Sequence, residues 1–150
     1  MRYFLDTEFN GFGGCLISLG LAAEEGDQDY YVVVPMTQEP LPWVAQHVIP
    51  YLKSVPNLLY NQLDPIAAAH DIAAYLRTDP DPEIVADWPE DIAQFSMLLI
   101  TGPGDMVDIG PVTFRMVRLG GFSCAANSAV PHNALHDARA LRTHILGLEP

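Results

Sequence analysis

Two short apolar segments that each end on a carboxylate constrain the fold of this chain most strongly. Residues 2–6 form a run of β-forming residues that ends at Asp6, and residues 83–87 form a second run that ends at Asp87. Two further strand-like segments and then a stretch with helical periodicity separate them. Functional side chains in α/β proteins are commonly found at the carboxyl ends of strands. The sequence therefore predicts an α/β domain with acidic residues at its strand ends.

The remaining elements follow from local patterns. Asp64 suits a helix N-cap and Pro65 suits the first helical position, so the helix over 64–77 is the clearest. The polar, glycine-containing turn over residues 24–29 joins two strand-like runs, which favours an antiparallel hairpin. The 150 residues fit one domain, 1–150, with the order βββ-αα-β-α-β-α. Further strands are predicted over 15–23, 30–34 and 113–118, and further helices over 43–52, 89–99 and 132–146.

The charge balance limits the choice of substrate. The net charge is −12, with only seven Lys and Arg side chains. A protein that binds long nucleic acid by releasing counterions needs many cationic side chains, so tight binding of long duplexes is not expected. An acidic chain suits divalent cations and short substrates. Acidity also keeps a protein soluble, and composition does not separate these two explanations.

Targeting features indicate a cytoplasmic protein. The N-terminus reaches Asp6 after three apolar residues, which is too short for the apolar region of a signal peptide. The uncharged run Phe9–Ala23 contains four glycines and is too short to span a membrane. The two cysteines, Cys15 and Cys124, form no CxxC pair and are expected to be buried thiols.

Four carboxylates at three places in the chain form the candidate site. Asp6 and Glu8 lie two residues apart, so both side chains point to one face of the first strand. Asp87 ends a later strand, and Asp137 lies on the last helix. Carboxylate oxygens are the ligands that Mg²⁺ and Mn²⁺ prefer, and two such ions can clamp a phosphodiester during hydrolysis. Taken alone, Asp87 could simply cap the helix that starts at Pro89, so the prediction depends on the whole set.

Three motifs resemble those of the DEDD exonuclease superfamily in its DEDDh branch. They are Asp6-Thr7-Glu8-Phe9, Asp87 within Val85–Asp91, and His132-Asn133-Ala134-Leu135-His136-Asp137. Asn133 occupies the position at which the tyrosine branch has Tyr. The second motif departs from the pattern, because it lacks the usual Asn-x-x-x-Phe/Tyr-Asp. The second motif therefore does not identify the residues that position the substrate.

The resemblance implies a fold, a site and an assembly. The fold is ribonuclease-H-like, with a mixed five-stranded sheet flanked by helices. Two divalent cations, Mg²⁺ or Mn²⁺, are bound, the first by Asp6, Glu8 and Asp137 and the second by Asp6 with Asp87. His132 is the general base that takes a proton from the attacking water. The small stand-alone bacterial exoribonucleases near ribonuclease T and oligoribonuclease are the most similar members, and they imply a homodimer.

Other side chains have two explanations each. Thr7, Phe9, Phe12 and Trp88 are the candidate substrate-binding residues, with stacking on 3′-terminal bases as the expected role of the aromatic ones. Core packing explains Phe9 and Phe12 equally well. Adjacent helical residues point about 100° apart, so His136 should point away from the metals that Asp137 binds. Structural roles are expected for His47, His70 and His144.

The sequence thus predicts a metal-dependent 3′-to-5′ exoribonuclease that acts on short or single-stranded RNA. Two alternatives remain open at this point. The same scaffold serves DNA exonucleases, and RNA and DNA substrates are not distinguished by these residues. The second alternative is a ribonuclease-H-like module that binds nucleic acid without catalysis. The presence of all five motif residues argues against this alternative.

Overall fold

A mixed five-stranded sheet forms the centre of the protein in the computed structural model, which describes residues 1–149. The strands are β1 (Arg2–Phe9), β2 (Leu16–Ala23), β3 (Tyr30–Val33), β4 (Glu83–Ala86), β5 (Ile100–Gly102), β6 (Asp105–Met106) and β7 (Thr113–Met116). The sheet order is β3-β2-β1-β4-β7, and β5 and β6 form a separate small hairpin. The central strand β1 runs antiparallel to β2 and parallel to β4, which is itself parallel to β7.

Helices cover both faces of this sheet, as the ribonuclease-H-like expectation requires. They are α1 (Pro42–His47), α2 (Pro65–Leu76), α3 (Pro89–Leu98), α4 (Cys124–Asn127) and α5 (Ala134–Leu148), and a 3₁₀ turn spans Ile49–Tyr51. Alternation along β1 places Tyr3 and Leu5 in a core with α2 and α3, while Phe4 packs on the opposite face against α5. Within residues 1–149, no helix has the length and apolar content needed to cross a membrane.

Three sequence expectations need correction. The helix expected over 43–52 ends at His47, because Pro50 has no N–H to continue the ladder and a 3₁₀ turn follows. The helix expected from residue 132 begins only at Ala134, after the N-cap Asn133. The hairpin of β5 and β6 was not predicted, since it is short and its exposed residues show no alternation.

A close approach at Gly20 fixes the position of α5 on the sheet. Gly20 lies directly opposite Asp6 in the antiparallel pairing of β1 with β2. Gly20 and the side chain of Asp6 are therefore on the same face of the sheet, the face that α5 covers. A Cβ at Gly20 would lie 2.6 Å from backbone atoms of Ala134 and Leu135. Only glycine permits this contact. The first turn of α5, and Asp137 with it, is therefore held directly over the second half of β1.

Candidate active site

The end of β1 and the start of α5 bring three predicted residues together. A carboxylate oxygen of Glu8, one of Asp137 and a ring nitrogen of His132 lie within 4.8 Å of one another. Glu8 and Asp137 are both buried. Asp6 lies two residues before Glu8 in β1 and therefore on the same face of the strand. The first and third sequence motifs thus meet at the carboxyl end of the central strand β1.

His132 occupies a strained position next to these carboxylates. Its φ is 61°, in the left-handed region that non-glycine residues rarely adopt. Its backbone N–H donates to Asp137 Oδ2 at 3.2 Å, which ties the loop to the helix. Its ring packs edge-on against the indole of Trp43, with a centroid distance of 4.8 Å. Burial, and then the neighbouring His47, lower the pKa of His132, so its ring is neutral at neutral pH.

Asp91 is a further acidic member of this cluster. It lies in the first turn of α3 and is buried, with 3% of its surface exposed. Its Oδ1 accepts hydrogen bonds from the Thr7 N–H at 3.0 Å and from the Thr7 hydroxyl at 2.6 Å. Among neighbouring charges, Asp91 raises the pKa of Asp6 most. Sequence reasoning included Asp91 in the second motif but assigned it no role. The spacing of four residues after Asp87, at a helix start, is the signal that was available.

The carboxylates of this cluster repel one another. Burial and the charges of Asp91 and Glu8 raise the pKa of Asp6 well above its usual range. Burial, followed by Asp137, raises the pKa of Glu8 to about 8. Burial likewise raises the pKa of Asp91 and of Asp137. Salt bridges to Lys or Arg within residues 1–149 involve other carboxylates. The described part of the protein therefore supplies no arginine or lysine that would stabilise these carboxylates in their charged form.

Two unsatisfied oxygens show what the cluster can bind. Oδ2 of Asp6 and Oδ1 of Asp137 are inaccessible to solvent and have no hydrogen-bond partner among residues 1–149. A buried acceptor without a partner costs stability unless a ligand satisfies it. Oxygen ligands that share a large excess of negative charge match the preference of Mg²⁺ and Mn²⁺. The residues present therefore fit divalent cations.

Asp87 lies beside this cluster and not at its centre. It follows the last residue of β4, as predicted, and its charge also raises the pKa of Asp6 and of Asp91. Its Oδ2 accepts a long hydrogen bond of 3.4 Å from the Cys124 thiol. Trp88 is the N-cap residue of α3, so the alternative role of Asp87 as helix cap does not apply. Its role as a metal ligand remains a prediction.

The predicted substrate-binding residues occupy different environments. The Thr7 side chain is buried and its hydroxyl fastens β1 to Asp91. Phe9 is half-buried at the end of β1, whereas Phe12 is completely exposed in the following turn, which excludes core packing for Phe12. Trp88 has 51% of its surface exposed beside the carboxylates. Contacts of these residues with substrate remain predictions.

A cavity of about 420 Å³ opens next to His132. His132 lines it, and the carboxylates of the cluster do not. The His136 ring is held at the segment after the 3₁₀ turn, because its Nε2 contacts the carbonyl oxygen of Ser54 at 2.7 Å. The remaining cavity wall comes from the end of α1, the 3₁₀ turn with the segment after it, and the loop before α5, through His47, Tyr51, Ser54, Ala129, Val130 and Pro131.

Comparison with known proteins adds independent information. The chain is 32% identical over 122 residues to proteins named 3′-5′ exoribonuclease in two strains of Mycobacterium tuberculosis, CDC 1551 and H37Rv. The matched region covers 79% of this chain and 70% of each relative. No family model matches the chain.

Proposed function

The chain belongs to the family of these 3′-5′ exoribonucleases, and on that premise we propose that it hydrolyses phosphodiester bonds at the 3′ end of short or single-stranded RNA. The observation that carries this proposal is the convergence of Glu8, Asp137 and His132 within 4.8 Å at one sheet edge, beside Asp6. The order and chemistry of these residues support membership of the DEDDh branch.

We propose that two divalent cations, Mg²⁺ or Mn²⁺, bind at this edge. Asp6, Glu8 and Asp137 would hold the first, and the partnerless oxygens of Asp6 and Asp137 support this assignment. Bound as a pair, such ions stabilise the attacking and leaving oxygens of a phosphodiester displacement. Burial, followed by repulsion between neighbouring carboxylates, raises the pKa values of Asp6 and Glu8, and a bound cation would stabilise their charged forms.

His132 is proposed as the general base. Its lowered pKa keeps the ring neutral, and a neutral imidazole accepts a proton from an attacking water. The left-handed backbone and the contact with Trp43 restrict the ring to a small range of positions near Glu8 and Asp137. Such restriction lowers the entropy cost of aligning the base with its water.

We propose that Asp6 also contacts the second cation, with Asp87 assisting. Asp87 follows the last residue of β4, and its charge raises the pKa of Asp6. Asp91 has a positioning role, because its Oδ1 accepts from the N–H and the hydroxyl of Thr7, whose side chain lies on the face of β1 opposite to Asp6. Asp87→Asn should lose activity and weaken the Mn²⁺-dependent rise in melting temperature, whereas Asp91→Asn, whose amide oxygen still accepts from Thr7, should keep that rise. If Asp91→Asn abolishes the rise and Asp87→Asn does not, Asp91 is the ligand and the assignment of Asp87 is wrong.

The net charge of the protein and its exoribonuclease relatives both support this choice of substrate. Few cations are available to follow a phosphate backbone, so affinity should grow little beyond the first few nucleotides. Unpaired 3′ ends should be preferred, since the exposed rings of Phe12 and Trp88 can stack only on unpaired bases.

The test uses RNA and DNA oligomers of several lengths, labelled at the 5′ end. With Mn²⁺ or Mg²⁺, we expect stepwise shortening of single-stranded RNA from its 3′ end, and no shortening in EDTA. Faster degradation of blunt duplex DNA than of short RNA would refute the proposed substrate. Binding of RNA without hydrolysis in either metal would identify a silent binding module instead.

A further inference from the structure

The seven cationic side chains of the protein are unequally available to a substrate. Arg77 donates to the carbonyl oxygen of Asp108. Within residues 1–149, Lys53 and Arg118 have neither a carboxylate partner nor a hydrogen bond, and both are exposed. The other arginines form salt bridges, and they are Arg2, Arg115, Arg139 and Arg142.

Arg118 lies next to the carboxylate cluster without binding to it. It follows β7, and the N–H of Val117 donates to the carbonyl oxygen of Ala86, the residue before Asp87. Its guanidinium carbon lies 6.0 Å from the centroid of the Trp88 ring, the residue after Asp87. Within residues 1–149 no salt bridge joins Arg118 to a carboxylate, and its guanidinium lies over the indole instead. It is thus a cation held at the edge of the site and available for an anion.

We propose that Arg118, supported on the ring of Trp88, binds a backbone phosphate adjacent to the one that is hydrolysed. This inference rests on the proposed function, because it takes the carboxylate cluster as the position of the scissile phosphate. Guanidinium groups bind phosphate oxygens through paired charge-assisted hydrogen bonds. Contact with an aromatic face leaves the N–H groups at the edge of the guanidinium free to donate.

The position of Arg118 also fits the acidity of the protein. The proposed divalent cations compensate the carboxylates at the scissile phosphate, but an adjacent phosphate meets an acidic protein of net charge −12 and needs compensation of its own. Arg118 supplies that compensation next to the second motif, at the carboxyl ends of β4 and β7. The half-exposed indole of Trp88 restricts the guanidinium without covering it. Arg118 is accordingly a specificity-determining residue for substrates that have a second phosphate.

The test compares a trinucleotide with two phosphodiesters and a dinucleoside monophosphate with one. Arg118→Gln should raise KM for the trinucleotide by about tenfold and change kcat little, because one charge-assisted contact is lost. The increase should be larger for the trinucleotide than for the dinucleoside monophosphate. The salt dependence of kcat/KM should weaken by about 0.7 in its logarithmic slope, the value for one phosphate on a single strand.

Arg115→Gln is the matched control. It removes the same charge from the same strand region, but Arg115 already binds Glu83 at 2.8 Å. Arg118→Lys should restore part of the affinity, because charge is retained and the planar fork is lost. If Arg118→Gln and Arg115→Gln have the same KM values and salt slopes, the inference is wrong. An equal loss of kcat on both substrates would place Arg118 at the scissile phosphate and also overturn it.

A binding measurement separates this inference from the proposed function. Fluorescence anisotropy of a labelled trinucleotide in EDTA reports affinity without hydrolysis. If the wild-type protein hydrolyses no RNA but Arg118→Gln weakens this binding about tenfold relative to Arg115→Gln, the phosphate site stands and the proposed hydrolysis does not. If the wild-type protein hydrolyses RNA and the two variants bind equally, the proposed function stands and the phosphate site does not.

Discussion

Replacing Gly20 with alanine tests whether the contact between β2 and α5 positions the site. The added Cβ would lie 2.6 Å from the carbonyl carbon and oxygen of Ala134, and 2.6 Å from the Cα of Leu135. These are backbone atoms, so no side-chain rotation relieves the overlap. The first turn of α5 must move away from the sheet, and Asp137 moves with it.

The magnitude follows from that distance. Ordinary contact begins at 3.4 Å, so relief of the overlap from 2.6 Å requires a movement of about 0.8 Å. Overpacking of a well-filled interior typically costs ~1–3 kcal/mol, and we expect Gly20→Ala to lower the free energy of unfolding by about 2 kcal/mol. A displacement of nearly this size at a reacting group lowers rates by ~10²-fold. The loss of turnover should therefore exceed what partial unfolding explains.

Urea denaturation measures the stability of Gly20→Ala, and single-turnover cleavage of a short RNA measures its activity under conditions in which it is fully folded. Gly147→Ala is the control, because it lies in the same helix and its Cβ would meet nothing within 4 Å. It should stabilise α5 by ~0.5–1 kcal/mol and keep full activity. A Gly20→Ala protein with wild-type stability and turnover would refute the positioning argument.

Further predictions concern the base, the metals and the assembly. His132→Ala should lower turnover by ~10²–10⁴-fold and leave Mn²⁺ binding nearly intact, whereas His136→Ala should keep most activity. Single-turnover assays in which His136→Ala is inactive and His132→Ala is close to wild type would show that the base is misassigned. Excess Mn²⁺ should raise the melting temperature, because binding at one site adds ~2.7 kcal/mol to the free energy of unfolding when the free Mn²⁺ concentration is one hundred times Kd. Asp6→Asn should weaken that rise. Light scattering should report a dimer, and a mass of 16.5 kDa at micromolar concentration would exclude it.

The parts of the fold that the sequence predicted are those that local patterns determine. Asp64 caps α2 as expected, accepting from the N–H of Ala67, because capping depends on residues within one turn. The alternation in β1 depends equally on neighbours in the chain. The break after His47 also has a local cause, Pro50, which the predicted helix over 43–52 ignored. The left-handed backbone of His132 accompanies ring contacts with Trp43 and His47, which are distant in sequence, so no local pattern revealed it.

The site shows the same division. The residue types at Asp6, Glu8, Asp137 and His132 indicated a common site because the motifs were specific. The contribution of Asp91 became visible only in three dimensions, through its hydrogen bonds from Thr7 in a strand that lies far away in sequence. An acidic residue in the first turn of a helix usually has a sufficient local explanation in the helix dipole, which concealed its role here.

The most direct test of the proposed activity is a Mn²⁺ titration that records metal binding and RNA cleavage in the same sample. Loss of the free-Mn²⁺ signal in electron paramagnetic resonance counts the bound ions, and gel analysis of a 5′-labelled RNA measures its shortening. We expect two ions per chain and cleavage that begins only as the second ion binds. Cleavage that proceeds equally in EDTA, or a fully active Asp137→Asn protein that binds no Mn²⁺, would contradict the two-cation site.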